Sequence, residues 1–233
     1  MSNFPVAPMP QVLESAANER AFIRTVYAWM FGGLMLTALA SLWVVVSPAM
    51  QQLILGNQMV PLGLMIVTFG LVMFLSFRAQ HLAPATAASL FLVYSTLTGL
   101  ALSSIFFYYT AASVLRAFIV ASGMFGAMSV YGMVTKRDLT GWGSFFFMGL
   151  IGLILCGVVN IFLKSSAMSF VISVVGVLVF TGLTAYDTQK LKSMARASGP
   201  GTQNFAITGA LSLYLDFLNL FLMLLRLFGT RRS

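Results

Sequence analysis

FTGLTAYDTQKLKSMARASGPGTQNFAITGALSLYLDFLNLF, residues 180–221, holds the features on which the fold turns. Two apolar runs flank Gly199-Pro200-Gly201, the strongest chain-reversal signal in the sequence. Each run carries one aspartate, Asp187 and Asp216, two of only five acidic residues in the chain. The midpoint of the two positions falls beside the reversal. Antiparallel helices meeting there would carry both carboxylates at similar depth. An ionisable group at the centre of a membrane helix costs roughly 2.5–3.5 kcal/mol on insertion scales, so such residues face a bundle interior or an aqueous cavity.

Outward from this stretch, the whole chain reads as membrane-embedded helix. Of 233 residues, 59% are hydrophobic and 8% charged, against about 25% charged in a soluble domain. A span needs roughly 20 mostly apolar residues. Seven segments qualify, at residues 27–46, 59–77, 83–107, 112–134, 141–163, 168–187 and 205–228. The runs are continuous rather than alternating and too long for barrel strands. The reading is an all-α integral membrane protein, a seven-transmembrane-helix bundle spanning residues 22–229. Residues 1–21, with Pro5, Pro8 and Pro10, read as a flexible N-terminal tail, and residues 230–233 as a short basic tail.

The net charge of +8 does not point to nucleic acid, because the basic residues sit in the gaps between apolar runs. There Lys and Arg set topology and meet anionic lipid headgroups. With the N-terminus cytoplasmic, the inner side carries Arg20, Arg24, Arg78, Lys136, Arg137, Lys190, Lys192 and Arg196. The outer side carries Arg116, Lys164, Arg226, Arg231 and Arg232, so eight against five favours that orientation. The basic C-terminus runs against the rule: either the last segment crosses fully, the reading preferred here, or it re-enters. Residues 189–197 read as an extension of the sixth helix beyond the membrane. Cys156 has no partner for a disulfide or thiolate site and reads as packing.

On the last helix, Gly209, Ser212, Asp216, Asn219, Met223 and Arg226 fall on one stripe at steps of three and four. That face turns toward protein. Thr184 lies one turn before Asp187 on the sixth helix. Each aspartate could merely glue helices together by hydrogen bonding hydroxyls and amides. The more informative reading is a pair sharing one proton, since two carboxylates in a low-dielectric site cannot both ionise cheaply. Holding a proton, the pair is a hydrogen-bonded latch; doubly ionised, it repels itself unless a cation enters. Carboxylates suit Ca²⁺, but two residues fall short of its six to eight oxygens. Asp187 and Asp216 would therefore hold the ion weakly and transiently, and no resident cofactor is expected.

Three motifs carry a resemblance: Leu211-Ser-Leu-Tyr-Leu-Asp216-Phe-Leu-Asn219 with the ending Leu-Leu-Arg226-Leu-Phe-Gly229, Gly182-Leu-Thr-Ala-Tyr186-Asp187-Thr-Gln-Lys190, and Thr135-Lys-Arg-Asp-Leu139. Over essentially the whole chain the sequence resembles the Bax inhibitor-type family, most nearly its bacterial inner-membrane members. The resemblance implies a seven-helix fold with the last helix central, and a pH-sensitive calcium leak. Asp187 and Asp216 match that family's paired proton-sensing aspartates. Arg78 stands where some bacterial relatives have an arginine that engages the diacid; a headgroup-facing, snorkelling Arg78 is the other reading. Neighbouring His81 could sense pH or be an exposed bystander.

Other functions were weighed on the same residues. Two aspartates can activate water for hydrolysis, as in intramembrane aspartyl proteases. Those place Gly-x-Gly before the second aspartate, where this chain has Leu213-Tyr214-Leu215, and they carry a Pro-Ala-Leu element absent here. The chain is thus expected not to be an enzyme. The alternative to a leak is a non-conducting interaction protein, since some bacterial relatives modulate a membrane-bound quality-control protease. A cation/proton exchanger is a third reading.

Overall fold

The computed structural model describes residues 9–57, 59–197 and 203–232, so the Gly199-Pro200-Gly201 reversal lies outside the described residues. The described chain is helical: α1 Met9–Val46, α2 Pro48–Leu55, α3 Met59–Arg78, α4 Pro84–Leu102, α5 Ile105–Tyr108, α6 Ala111–Val134, α7 Thr140–Leu163, α8 Ser166–Ala197 and α9 Gln203–Phe228, with a 3-10 turn at Ala79–His81. Among the described residues, seven stretches of 23 to 31 residues are long and apolar enough to cross a membrane, the third formed by α4 and α5 together. At about 1.5 Å per residue the shortest reaches about 35 Å, enough for a hydrocarbon core of about 30 Å. The fold is thus an all-helical bundle of seven spans.

Local chemistry sets the boundaries. Ser47 caps α2, accepting from the Met50 amide at 3.4 Å, with Pro48 at the first helical position. Thr110 caps α6 in the same way, accepting from the Ser113 amide at 3.3 Å. Between α7 and α8 the chain reverses in one step at Lys164, whose φ of 49° is left-handed. Asn160 holds that turn: its Oδ1 accepts from the Ser165 amide at 3.0 Å and its Nδ2 donates to Ser169 Oγ at 2.7 Å. Lys192 reaches from α8 to donate to the Met133 carbonyl, one of the orphan acceptors in the last turn of α6.

The described part of the expected N-terminal tail is helical, because α1 begins at Met9. The residues after Pro10 are mostly good helix formers, and proline is tolerated in a first turn. This extension is tied down by Glu19, whose Oε2 accepts from Arg196 Nε at 2.8 Å. The basic tail is also fixed. The Thr110 amide donates to Thr230 O at 3.1 Å, and the Arg232 amide to Tyr108 O at 2.9 Å. The end of α9 therefore sits with the α5–α6 connection, opposite the bundle face that carries residues 135–139. The last helix traverses the bundle rather than re-entering.

Phe205–Phe228 is the most buried of the seven spans, and α9 packs on α1, α3, α4, α6 and α8. Its Leu213, Tyr214 and Leu220 are fully enclosed, as are Met30 of α1 and Phe91 of α4. Small and hydroxyl side chains bring α1 and α4 together. A Cβ on Gly99 would overlap the Thr37 carbonyl, and Ser41 Oγ donates to Gly99 O at 2.7 Å. Lipid tails are as apolar as any core, so close packing and interhelical hydrogen bonds, not burial from water, hold such contacts. By contrast α7 exposes Phe145, Phe147, Met148, Ile154 and Leu155 along its length, as a lipid-facing helix does.

Candidate functional site

The expected carboxylate pair lies between α8 and α9. These helices run antiparallel, with Leu191 against Gly209 near one end and Met223 against Gly176 near the other. These contacts set Asp187 at the level of Ser212 and Leu213, and Asp216 at the level of Leu183 and Thr184. The two aspartates thus stand three to four residues apart in level, about 4.5–6 Å along the axis at a 1.5 Å rise. That is within reach of two carboxylate side chains.

Their environments differ. Asp216 is buried, 5% exposed, and its Oδ2 has no hydrogen-bond partner among the described residues. Asp187 is half-buried, and the cationic Lys190 stands one turn further along α8. Buried polar atoms without partners are few in native structures, and leaving an ionised carboxylate in that state is costly. A proton on Asp216, or a cation lodged between the two side chains, removes the cost. Either changes the force between α8 and α9.

Of the supporting residues expected from sequence, Ser212 lies near the level of Asp187 and Thr184 near that of Asp216. Thr184 is fully buried, and its hydroxyl donates to Phe180 O at 2.8 Å. Asn219 turns back on its own helix, donating to Leu215 O at 2.9 Å. Ser212 is half-buried one turn before Asp216. Arg78 does not reach the aspartates. At this end of α3 the buried face is Leu75 and Ala79, and Arg78 projects away from it, exposed and without an ion pair among the described residues. His81 is exposed. No group of three or more His, Cys, Asp or Glu assembles among the described residues, so Asp187 and Asp216 form no closed metal cage there.

Two further contacts frame the pair. Tyr214, two residues before Asp216, places its hydroxyl 2.7 Å from Thr37 Oγ1. Thr37 spends its one proton on the carbonyls of Ser95 at 2.8 Å and Gly33 at 3.0 Å, so Tyr214 is the donor. The ring stands edge-on to Phe91 and Tyr94 at 5.6 and 5.7 Å. This joins α9 to α1 and α4 beside the site. On α8, Gln189 clamps the α6–α7 connection: its Oε1 accepts from the Leu139 amide and its Nε2 donates to Arg137 O, both at 2.8 Å. The sequence signal for the first was a tyrosine in an apolar helix, whose hydroxyl must find a partner. Gln189 gave none beyond helix propensity.

Comparison with known proteins agrees with these motifs. The family model described as inhibitor of apoptosis-promoting Bax1 matches residues 19–233. The chain is 47% identical over 236 residues to the inner membrane protein YbhL of Escherichia coli K12, covering both chains in full. It is 44% identical over 222 residues to the uncharacterized protein RP147 of Rickettsia prowazekii, covering 92% of this chain and 91% of the relative. An uncharacterized protein of Borreliella burgdorferi is 41% identical over 215 residues, 91% and 93% of the two chains. With seven apolar spans and a match over nearly its whole length, the chain is an integral membrane protein that belongs to the Bax inhibitor-type family.

Proposed function

We propose that the protein is a pH-sensitive leak for calcium or a similar cation, gated by proton sharing between Asp187 and Asp216. One observation carries this reading: Asp216 Oδ2 is buried without a partner among the described residues, about one turn in level from Asp187 on the packed neighbouring helix. An orphaned carboxylate oxygen between two packed helices gives proton and cation a common place to act. When the pair holds a proton it latches α8 to α9. When both carboxylates ionise, they separate or admit a cation. Too few oxygens converge for tight retention, which suits passage rather than storage. The proposed orientation places the N-terminus and the Lys136, Arg137, Lys190 and Arg196 face in the cytoplasm, as the positive-inside rule favours.

The test is calcium flux into liposomes holding only the purified protein, measured across pH for the wild type, Asp187→Asn and Asp216→Asn. A leak passes the ion without a counter-gradient, whereas an exchanger requires one. A non-conducting modulator of a membrane-bound protease passes none. That second reading rests on the ordered extensions of α1 and α8, joined by Glu19 and Arg196, which offer a surface for a partner.

A further inference from the structure

Where α6, α7 and α8 meet at the face carrying residues 135–139, two cavities lie side by side. One is a polar basin of about 460 Å³, lined by Lys136, Arg137, Asp138, Lys190 and Ser193. The other is an apolar slot of about 200 Å³, lined by Met128, Tyr131, Trp142, Phe146 and Gly182. Arg137 and Tyr186 line both. The slot runs from Leu139 down to Met128, roughly two turns into α6, or about 9 Å at 1.5 Å per residue. Its rim is open on the outside of the bundle, where Trp142 is 58% and Tyr131 40% exposed.

Lys136, Arg137 and Lys190 are exposed and form no ion pair among the described residues. Lys190 rests over the Tyr186 ring at 5.9 Å. The one carboxylate present, Asp138, is engaged by the Thr140 amide at 2.9 Å and hydroxyl at 2.6 Å. Three cations against one lining anion leave the basin positive even with Asp187 one turn from Lys190, beside an apolar slot that opens on the outside of the bundle. Tryptophan and tyrosine beside it are the residues that settle at a membrane interface.

We propose that this double cavity is a binding site for an anionic phospholipid, with the headgroup in the basin and the start of an acyl chain in the slot. A free phosphate or an acidic peptide would match the basin but leave the slot unused; a bilayer lipid uses both, and basic pockets between membrane helices take such headgroups. Gln189 holds the backbone of Arg137 and Leu139 in place, so the basin is preformed. Lys190 brings it within one helical turn of Asp187.

The test uses the full chain with Trp142 as its only tryptophan (Trp29→Phe, Trp43→Phe), in phosphatidylcholine bilayers, and reads quenching by brominated lipids. Each engaged cation is worth roughly fivefold in preference near an anionic headgroup. Brominated phosphatidylglycerol should therefore quench at mole fractions at least roughly tenfold below brominated phosphatidylcholine. Lys136→Gln, Arg137→Gln and Lys190→Gln together should bring the two curves into coincidence, while Lys190→Arg keeps them apart. Millimolar glycerol 3-phosphate should leave the quenching unchanged. Coincident curves in the charge-intact protein would overturn the proposal, a comparison that needs no charge variant to fold. Displacement by glycerol 3-phosphate would overturn it too, by showing that the basin takes a soluble phosphate.

Discussion

Removing the Gln189 side chain tests how the α6–α7 connection is held, and the two obvious variants should differ. In Gln189→Ala both bonds disappear. Leu139 is 8% exposed, so its amide is left buried without an acceptor, at about 1–3 kcal/mol. Arg137 is exposed, and its carbonyl can turn to water at little cost. In Gln189→Glu one carboxylate oxygen still accepts from the Leu139 amide, now as a charge-assisted bond, and only the bond to Arg137 O is lost. That variant should cost about 0–1 kcal/mol. Hydrogen exchange at the Leu139 amide reads the difference locally. With tenfold per 1.4 kcal/mol, it should speed up roughly 5- to 150-fold in the alanine variant and no more than roughly fivefold in the glutamate variant. Equal acceleration in the two, or none in either, would refute the assignment of the buried amide as the dominant cost.

Three further outcomes are expected. Gly99→Ala places a methyl against the Thr37 carbonyl and Ala40 and should cost about 1–3 kcal/mol in thermal or denaturant unfolding, whereas Gly126→Ala, with open space at its Cβ, should stay within about 0.5 kcal/mol. Tyr214→Phe removes a bond donated to Thr37 while leaving Thr37 its own acceptors, so unfolding in mixed micelles should show a loss of about 0.6 kcal/mol and at most about 1.7, the average and upper value for interhelical bonds in membranes. Asp138 is held below the usual carboxylate range by the Thr140 hydroxyl and amide. A depressed folded value contributes stability in full above the unfolded value of about 3.9 and loses it as pH falls through the folded one. Protection of the Thr140 amide should therefore be intact at neutral pH and decline only in acid below about 3.9.

The seven spans were legible because hydrocarbon imposes length and composition on every helix that crosses it, and no tertiary detail is needed to see that. The sixth helix was rightly read as continuing past Asp187, since residues 189–197 are helix formers. The start of α1 at Met9 was not, because three prolines in the first ten residues outweighed the propensity that follows. The short α2 was missed although Ser47-Pro48 is a cap followed by a first-turn proline; in a loop between spans that signal competes with simple chain reversal. At the site, matched spacing around Gly199-Pro200-Gly201 was enough to expect Asp187 and Asp216 at similar depth on neighbouring helices. It did not give the register, which Gly209 and Gly176 set through their contacts with Leu191 and Met223. Arg78 shows the limit from the other side. Its place in the chain suited an ion pair, but the direction of its side chain depends on which face of α3 packs, and Leu75 and Ala79 occupy that face.

The central claim is that proton occupancy of the carboxylate pair controls a cation path, and it is tested most directly by comparing wild type and Asp216→Asn in calcium-loaded liposomes over the physiological pH range. The wild-type flux should vary with pH and the variant's should not, with both proteins inserted to the same extent. A variant that keeps the wild-type pH profile, or a wild type that passes no calcium at any pH, would contradict the claim.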